Sequence, residues 1–126
     1  MDWIAGLNGQ TVGVDTAPFI YFIEEHPVYL ESMLTFFKAV EQGKIAAVTS
    51  TVTILEVLVQ PFRHHDEDLA AEYRDILFYS QLETYDSTPS IAELSAQLRS
   101  QYTLRTPDAI QIATAIHAGA TRFDNQ

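Results

Sequence analysis

The sequence predicts a helix-rich α/β domain of three layers (α/β/α), built on a short, mainly parallel sheet of four strands. Three observations carry this. Short apolar runs, Val12 to Val14 and Ile45 to Val48, have the character of strands buried on both faces. Each run is followed by acidic or hydroxyl residues of the kind that open helices. Strand-like and helix-like stretches then alternate, the order that yields a parallel sheet covered by helices. A chain of 126 residues that is 47% hydrophobic suits one domain, residues 1–126, with one core.

The elements follow in order. Val12 to Val14 is the first strand. Asp15 and Thr16 lead into a helix with Pro18 near its first position, a placement proline favours. That helix runs on towards Glu24, Glu25 and His26, and Pro27 restarts it. Tyr29, Leu30, Met33, Leu34, Phe36, Phe37 and Val40 then recur at helical spacing until Gly43 stops the helix. Ile45 to Val48 is the second strand. Thr49, Ser50 and Thr51 open the next helix, which Pro61 ends. Asp66 to Tyr79 is an amphipathic helix, and Leu82 to Tyr85 is a third strand. The turn Asp86 to Pro89 starts a helix through Leu98, and Ser100 to Arg105 is a loop. Thr106-Pro107-Asp108 opens a helix that reaches His117, with Gly119 as its stop. Thr121-Arg122-Phe123 begins a fourth strand.

Composition removes several function classes. There is no cysteine, which excludes a disulfide scaffold, thiolate-held zinc and thiol catalysis, and fits a reducing cytoplasm. No apolar run is long enough to span a bilayer, and no basic start with an apolar h-region is present. There is no Gly-rich phosphate loop and no Gly-x-Ser-x-Gly elbow. The net charge of −10 disfavours a grip on nucleic acid through a basic surface. It leaves a protein without a nucleic-acid partner, an acidic face for a basic partner, or acids gathered around a divalent metal.

Three acids fall where a parallel sheet would gather them. Asp15 follows the first strand, Glu56 lies near the start of the helix after the second, and Asp108 is in the first turn of the helix before the fourth. Ligand sites of such sheets lie at the carboxyl ends of the strands. Clustered carboxylates repel, and a hard cation such as Mg²⁺ relieves that while keeping several waters, one of which can attack a phosphodiester. Each acid also has a local alternative. Asp15 suits a helix cap, Thr53-Ile54-Leu55-Glu56 fits a capping box, and Asp108 complements a helix dipole. Ser90-Ile91-Ala92-Glu93 is a further capping-box match, read as purely structural.

Three stretches together resemble PIN-domain nucleases, and specifically the VapC-like toxins. They are Asp15-Thr16-Ala17-Pro18-Phe19-Ile20-Tyr21, Thr49 to Pro61 around Glu56, and Leu104-Arg105-Thr106-Pro107-Asp108-Ala109-Ile110-Gln111-Ile112-Ala113-Thr114-Ala115. They come in the family's order and cover nearly the whole chain. The resemblance implies a PIN-like fold and a Mg²⁺- or Mn²⁺-dependent ribonuclease, the toxin of a toxin–antitoxin pair. It implies RNA as substrate, a small antitoxin protein as partner and a homodimer. Carried over, Asp15 and Asp108 are metal ligands, and Glu56 joins them as a catalytic acid, bound directly or through water. The family follows its fourth strand with an Asn-Asp pair that supplies a fourth acid. Here Phe123 is followed by Asp124 and Asn125, so Asp124 comes early, as though the C-terminal end were clipped. That departure motivates an alternative, a PIN-fold binding module with an impaired site.

Other residues are read as structural. His64-His65-Asp66 is a solvated turn and His117 complements a helix C-terminus. Arg105 is a surface residue close to Asp108. Phe19, Tyr21 and Phe22 are core or dimer contacts, and the helix face around Phe36 and Phe37 is expected to supply the dimer interface.

Overall fold

The computed structural model describes residues 2–124. Strands Thr11–Val14 (β1), Ala46–Ser50 (β2), Glu83–Tyr85 (β3) and Arg122–Asp124 (β4) form one sheet in the order β3-β2-β1-β4, every neighbouring pair parallel. The helices are Asp2–Ala5 (α1), Thr16–Ile23 (α2), Leu30–Glu41 (α3), Thr51–Arg63 (α4), Glu67–Tyr79 (α5), Pro89–Gln101 (α6) and Thr106–His117 (α7). Because the strands are parallel, all four carboxyl ends lie along one edge. Val14 pairs with Asp124 there, and Ser50 with Tyr85.

Alternation along β1 divides the molecule into layers. Val12 and Val14 enter a core shared with Phe19 of α2, Phe36 and Phe37 of α3, Val57 and Leu58 of α4, and Tyr73 and Leu77 of α5. Phe37 binds this layer together, with ring centroids 5.4 Å from Phe19, 4.7 Å from Phe22 and 5.2 Å from Phe36. Gly13 faces the other way, towards α7. A methyl group built on Gly13 would stand 2.5 Å from the Cβ of Ala115 and 3.0 Å from Cδ1 of Phe123. The small residues Ala109, Ala113 and Ala115 let α7 lie close against the sheet, with α6 packed against it.

Several boundaries differ from those the sequence suggests, each for a physical reason. α4 continues through Pro61 to Arg63. Proline removes one backbone donor, but here only in the last turn, where its ring is buried and α5 packs alongside. α2 stops at Ile23, because Glu25 takes a left-handed φ of 55° and breaks the run before Pro27. α6 extends to Gln101, and the cap that starts it is Thr88, whose hydroxyl accepts from the Ile91 N–H, rather than Ser90. α1 carries no sequence signal and is held by tertiary packing of Ile4, with Leu7 in the turn that follows. Phe36 and Phe37 are 0% and 5% exposed, so they are core residues, and an interface on this face would rest mainly on their exposed neighbours. Gly119 ends α7 with φ of 76°, as expected of a helix C-terminus.

Gly13→Ala is expected to lower folding stability by about 1–3 kcal/mol, the usual cost of overpacking a tight contact. Denaturant unfolding measures it, and an unchanged midpoint would show that α7 can retreat from the sheet freely.

Candidate active site

Asp15 stands at the end of β1 and caps α2. Its Oδ1 accepts from the Thr16 N–H at 2.7 Å, and its own N–H donates to the carbonyl of Asp124 at 2.9 Å. The local capping alternative therefore holds for Asp15, but it uses only part of a carboxylate with two oxygens. Glu56 behaves otherwise. Ser50 is the residue that caps α4, accepting from Val52 N–H, and Thr53 is buried inside the helix. The capping-box alternative for Glu56 is thereby overturned. Glu56 Oε1 instead accepts the hydroxyl proton of Thr16 at 2.5 Å, from forty positions away in the chain. Asp108, in the first turn of α7, pairs with Arg105 through Oδ2 at 3.1 Å and Oδ1 at 3.4 Å.

The fold brings the three acids to one mouth of the sheet. Burial raises the Asp15 pKa above the ordinary aspartate value, and the charges of Asp108 and Glu56 add to the rise. The Thr16 N–H and the Gln111 amide draw it down, and the balance is upward. The Arg105 guanidinium is held in its charged form by its hydrogen bond to Asp108 and by the charges of Asp108, Glu56 and Asp15. All three carboxyl groups thus act on one another or on a common cation.

Beneath the acids lies a buried polar network in which every proton direction can be assigned. Thr49 donates to the carbonyl of Val14 at 2.7 Å, so its hydroxyl must accept from Thr53, also at 2.7 Å. Thr53, its proton committed, accepts from Gln111 Nε2 at 2.7 Å. With Nε2 so placed, Oε1 faces Ser50, which gives it a proton at 2.8 Å while accepting from Val52 N–H. The second Gln111 N–H points at the Thr16 hydroxyl oxygen at a long 3.5 Å, and Thr16 donates to Glu56. Thr49, Ser50, Thr53 and Gln111 are all at most 2% exposed. Gln111 had no role in the sequence reading. Its signal was a polar residue one turn after Asp108 in an otherwise apolar helix.

The donor set is all oxygen, which suits a hard divalent cation that retains waters. As the side chains stand, no group of three acids or histidines among the described residues is arranged to hold an ion. Asp15, Glu56 and Asp108 each face a different partner. The fit therefore lies in donor chemistry and location, and it requires Asp108 to turn from Arg105. That pair is exposed, and exposed ion pairs are weak. His64 and Asp66 make only local bonds, to Gln60 and Leu69 N–H. Asp124 sits in register with Val14 and lines a groove with Tyr21, Tyr29, Met33 and Arg122. Asn125 lies outside the described residues.

With this geometry in place, the comparisons with known proteins are decisive for family. The family model of the PIN domain matches residues 12–125, nearly the whole chain. The chain belongs to the PIN-domain family. Solved structures agree on the fold. VapBC2 of Rickettsia felis, bound to a DNA fragment from its promoter, superposes with TM-score 0.71 at 17% identity, over 91% of this chain and 98% of that one. Mycobacterium tuberculosis VapC20, a sarcin–ricin loop cleaving toxin, gives 0.72 at 13% identity, over 90% and 86%. A toxin–antitoxin complex from Klebsiella pneumoniae gives 0.64 at 24% identity, over 89% and 82%. At these identities the likeness is one of PIN fold. No curated protein sequence matches the chain.

The raised Asp15 pKa has a definite sign. Stability tied to a raised acid is present while the group is protonated, and it is lost as pH climbs through the raised value. In metal-free buffer at pH 7, Asp15→Asn is therefore expected to raise Tm by a few degrees, since Asn still caps the helix. The gain should fade as pH falls from the raised value to the ordinary aspartate value, and be absent below it. Thermal scans across that range measure it, and a variant less stable than wild type at neutral pH would contradict it.

Proposed function

We propose that this PIN-domain chain is a divalent-metal-dependent endoribonuclease, the toxin of a toxin–antitoxin pair. The observation that carries the reading is the meeting of Asp15, Glu56 and Asp108, from three separate segments, at the carboxyl edge of a PIN-fold sheet. Asp15 and Asp108 would hold Mg²⁺ or Mn²⁺, with Glu56 directly or through water. Such an ion supplies a water acidified enough to attack a phosphodiester and a counter-charge for the phosphate. Asp15 is preset for this by its position, half buried and pressed by its neighbours' charges. Glu56, fixed by Thr16, is placed to orient a water and take its proton. Arg105, once released by Asp108, is the cation nearest the acids and can meet a phosphate oxygen.

An antitoxin partner is supported by the complexes among the structural neighbours. It is also supported by a groove of about 910 Å³ lined by Phe22, Leu34, Phe37, Ile76, Tyr79 and Leu82, with Glu41, Glu72 and Asp75 at its edge. Apolar grooves of this kind mark protein contacts, and the acidic edge favours a basic segment. A homodimer is part of the same reading. Its contacts must come from exposed residues such as Leu34, Phe78 and Tyr79, at 49%, 48% and 81% exposure. Scattering at micromolar concentration should return twice the chain mass, and a monomer mass rejects the dimer.

A second reading, a binding module with an impaired site, is favoured by one observation: Arg105 already neutralises Asp108. RNA cleavage in Mg²⁺ or Mn²⁺ separates the two. Wild type is expected to cut, and Asp15→Asn to lose at least about 100-fold, as expected when an ion that activates the attacking water is lost. Equal activity in both sinks the nuclease assignment. Mn²⁺ calorimetry runs beside it, with binding lost in Asp108→Asn counting against the impaired module.

A further inference from the structure

We propose that Gln111 is a positioning residue whose amide presents its donor end to the acid cluster and fixes Thr16 against Glu56. The inference rests on the metal-site reading above and adds a residue to it. The Gln111 amide acts directly on Asp15, and its hold on Glu56 is exercised through Thr16.

The argument begins with orientation. An amide has one accepting end and one donating end, and in isolation either can face a given neighbour. Here one buried hydroxyl demands the choice and a second is satisfied by it. Ser50 accepts from the Val52 N–H and, with Nε2 turned to Thr53, gives its proton to the Gln111 Oε1 at 2.8 Å. Thr53 has given its proton to Thr49 and must accept, so it takes Gln111 Nε2 at 2.7 Å. Thr49 is in turn committed to the Val14 carbonyl, at the end of the strand that carries Asp15. The orientation is therefore fixed from β1, β2 and α4 at once. Its consequence is that the remaining N–H faces Thr16 and the acids, where a carbonyl would repel them.

Energetics favour a local effect on the site. Gln111 is 2% exposed and no buried polar side-chain atom among the described residues lacks a partner. The network branches at Gln111, and successive donors along each arm strengthen one another. One arm runs through Thr53 and Thr49 to the Val14 carbonyl, and the other ends on the Glu56 carboxylate through the 2.5 Å bond from Thr16. Thr16 also supplies the N–H that caps Asp15, so one residue links both acids to the network. A merely structural glutamine would satisfy Ser50 and Thr53 and stop there. This one also reaches the hydroxyl that holds Glu56.

The test is Mn²⁺ titration by calorimetry on wild type, Gln111→Met, Thr16→Val and the double variant, with Tm recorded for each. Outer partners of metal ligands change affinity by about 10–100-fold when removed, and that loss is expected in both single variants. The double variant should bind no more weakly than the weaker single one, because both cut the same chain. Thr16→Ser, which keeps the hydroxyl, should restore wild-type affinity. If wild type binds Mn²⁺ and Gln111→Met lowers Tm while leaving affinity unchanged, the proposal is overturned and the nuclease reading stands. Additive losses overturn it as well. If Gln111→Met does not fold, Thr16→Val against Thr16→Ser decides, since equal affinities in the two overturn the role given to the hydroxyl. No Mn²⁺ binding by wild type overturns the metal-site reading itself, and this inference with it.

Discussion

The close approach of α7 to β1 at Gly13 sets the dimensions of everything at the carboxyl edge. With a hydrogen in place of a side chain, the strand lets Ala115 come as near as a helix can. That spacing brings the first two turns of α7, with Asp108 and Gln111, beside the end of β1 and the start of α2, with Asp15 and Thr16. The apolar layer on the other face completes the arrangement by holding α2 and α4 against the same strand end. The acids are thus placed by packing some distance away, through small residues on one side of the sheet and aromatic rings on the other.

Placing three carboxylates together creates a conflict that the fold resolves only in part. Each acid has its own ties: a backbone N–H and the Gln111 amide for Asp15, a hydroxyl for Glu56, a guanidinium for Asp108. None of these satisfies all the oxygen lone pairs of a carboxylate, and Asp15 shows the residual strain in its upward shift. Functional sites retain tension of this sort, because groups arranged to receive a ligand are not arranged to stabilise the empty chain. The ties differ in kind. Those of Asp15 and Glu56 are anchored to the buried network, whereas that of Asp108 is exposed and soft. Asp108 is therefore the acid free to move on binding, and Asp15 and Glu56 form the fixed side of the site.

Much of this was legible in the sequence, and what was missed follows a pattern. Buried parallel strands and helix-opening residues are local signals, so the alternation of strands and helices and the position of each acid near a helix start could be read directly. Features that depend on distant partners could not. The Thr53 to Glu56 spacing fits a capping box, yet the helix starts earlier and Glu56 turns to Thr16. Phe36 and Phe37 follow one another on α3, and only tertiary packing shows that both are inside. Pro61 is a helix breaker by propensity, but burial of its ring outweighs one lost bond in a final turn. Gln111 carries no motif meaning of its own, and its role emerges only when β2, α4 and α2 converge on it.

The acidity of the chain, with seven basic residues against seventeen acidic ones, is at odds with a nucleic-acid substrate only if binding is assigned to a broad charged surface. At physiological ionic strength charges are screened beyond about 8 Å, so the net charge acts mainly on diffusive approach and little on the site itself. Within that radius the balance is set by three acids, one arginine and whatever cation they hold. Under the nuclease reading, an ion of charge two, with Arg105 released, would leave the pocket close to neutral and its few donors free for a phosphate. A surface poor in lysine and arginine also releases few counterions, so such an enzyme would bind RNA weakly and with a shallow salt dependence wherever the pocket is not engaged. Under the nuclease reading, discrimination then falls to the shape of the cleft and the reach of the catalytic acids, and general affinity for polyanions contributes little.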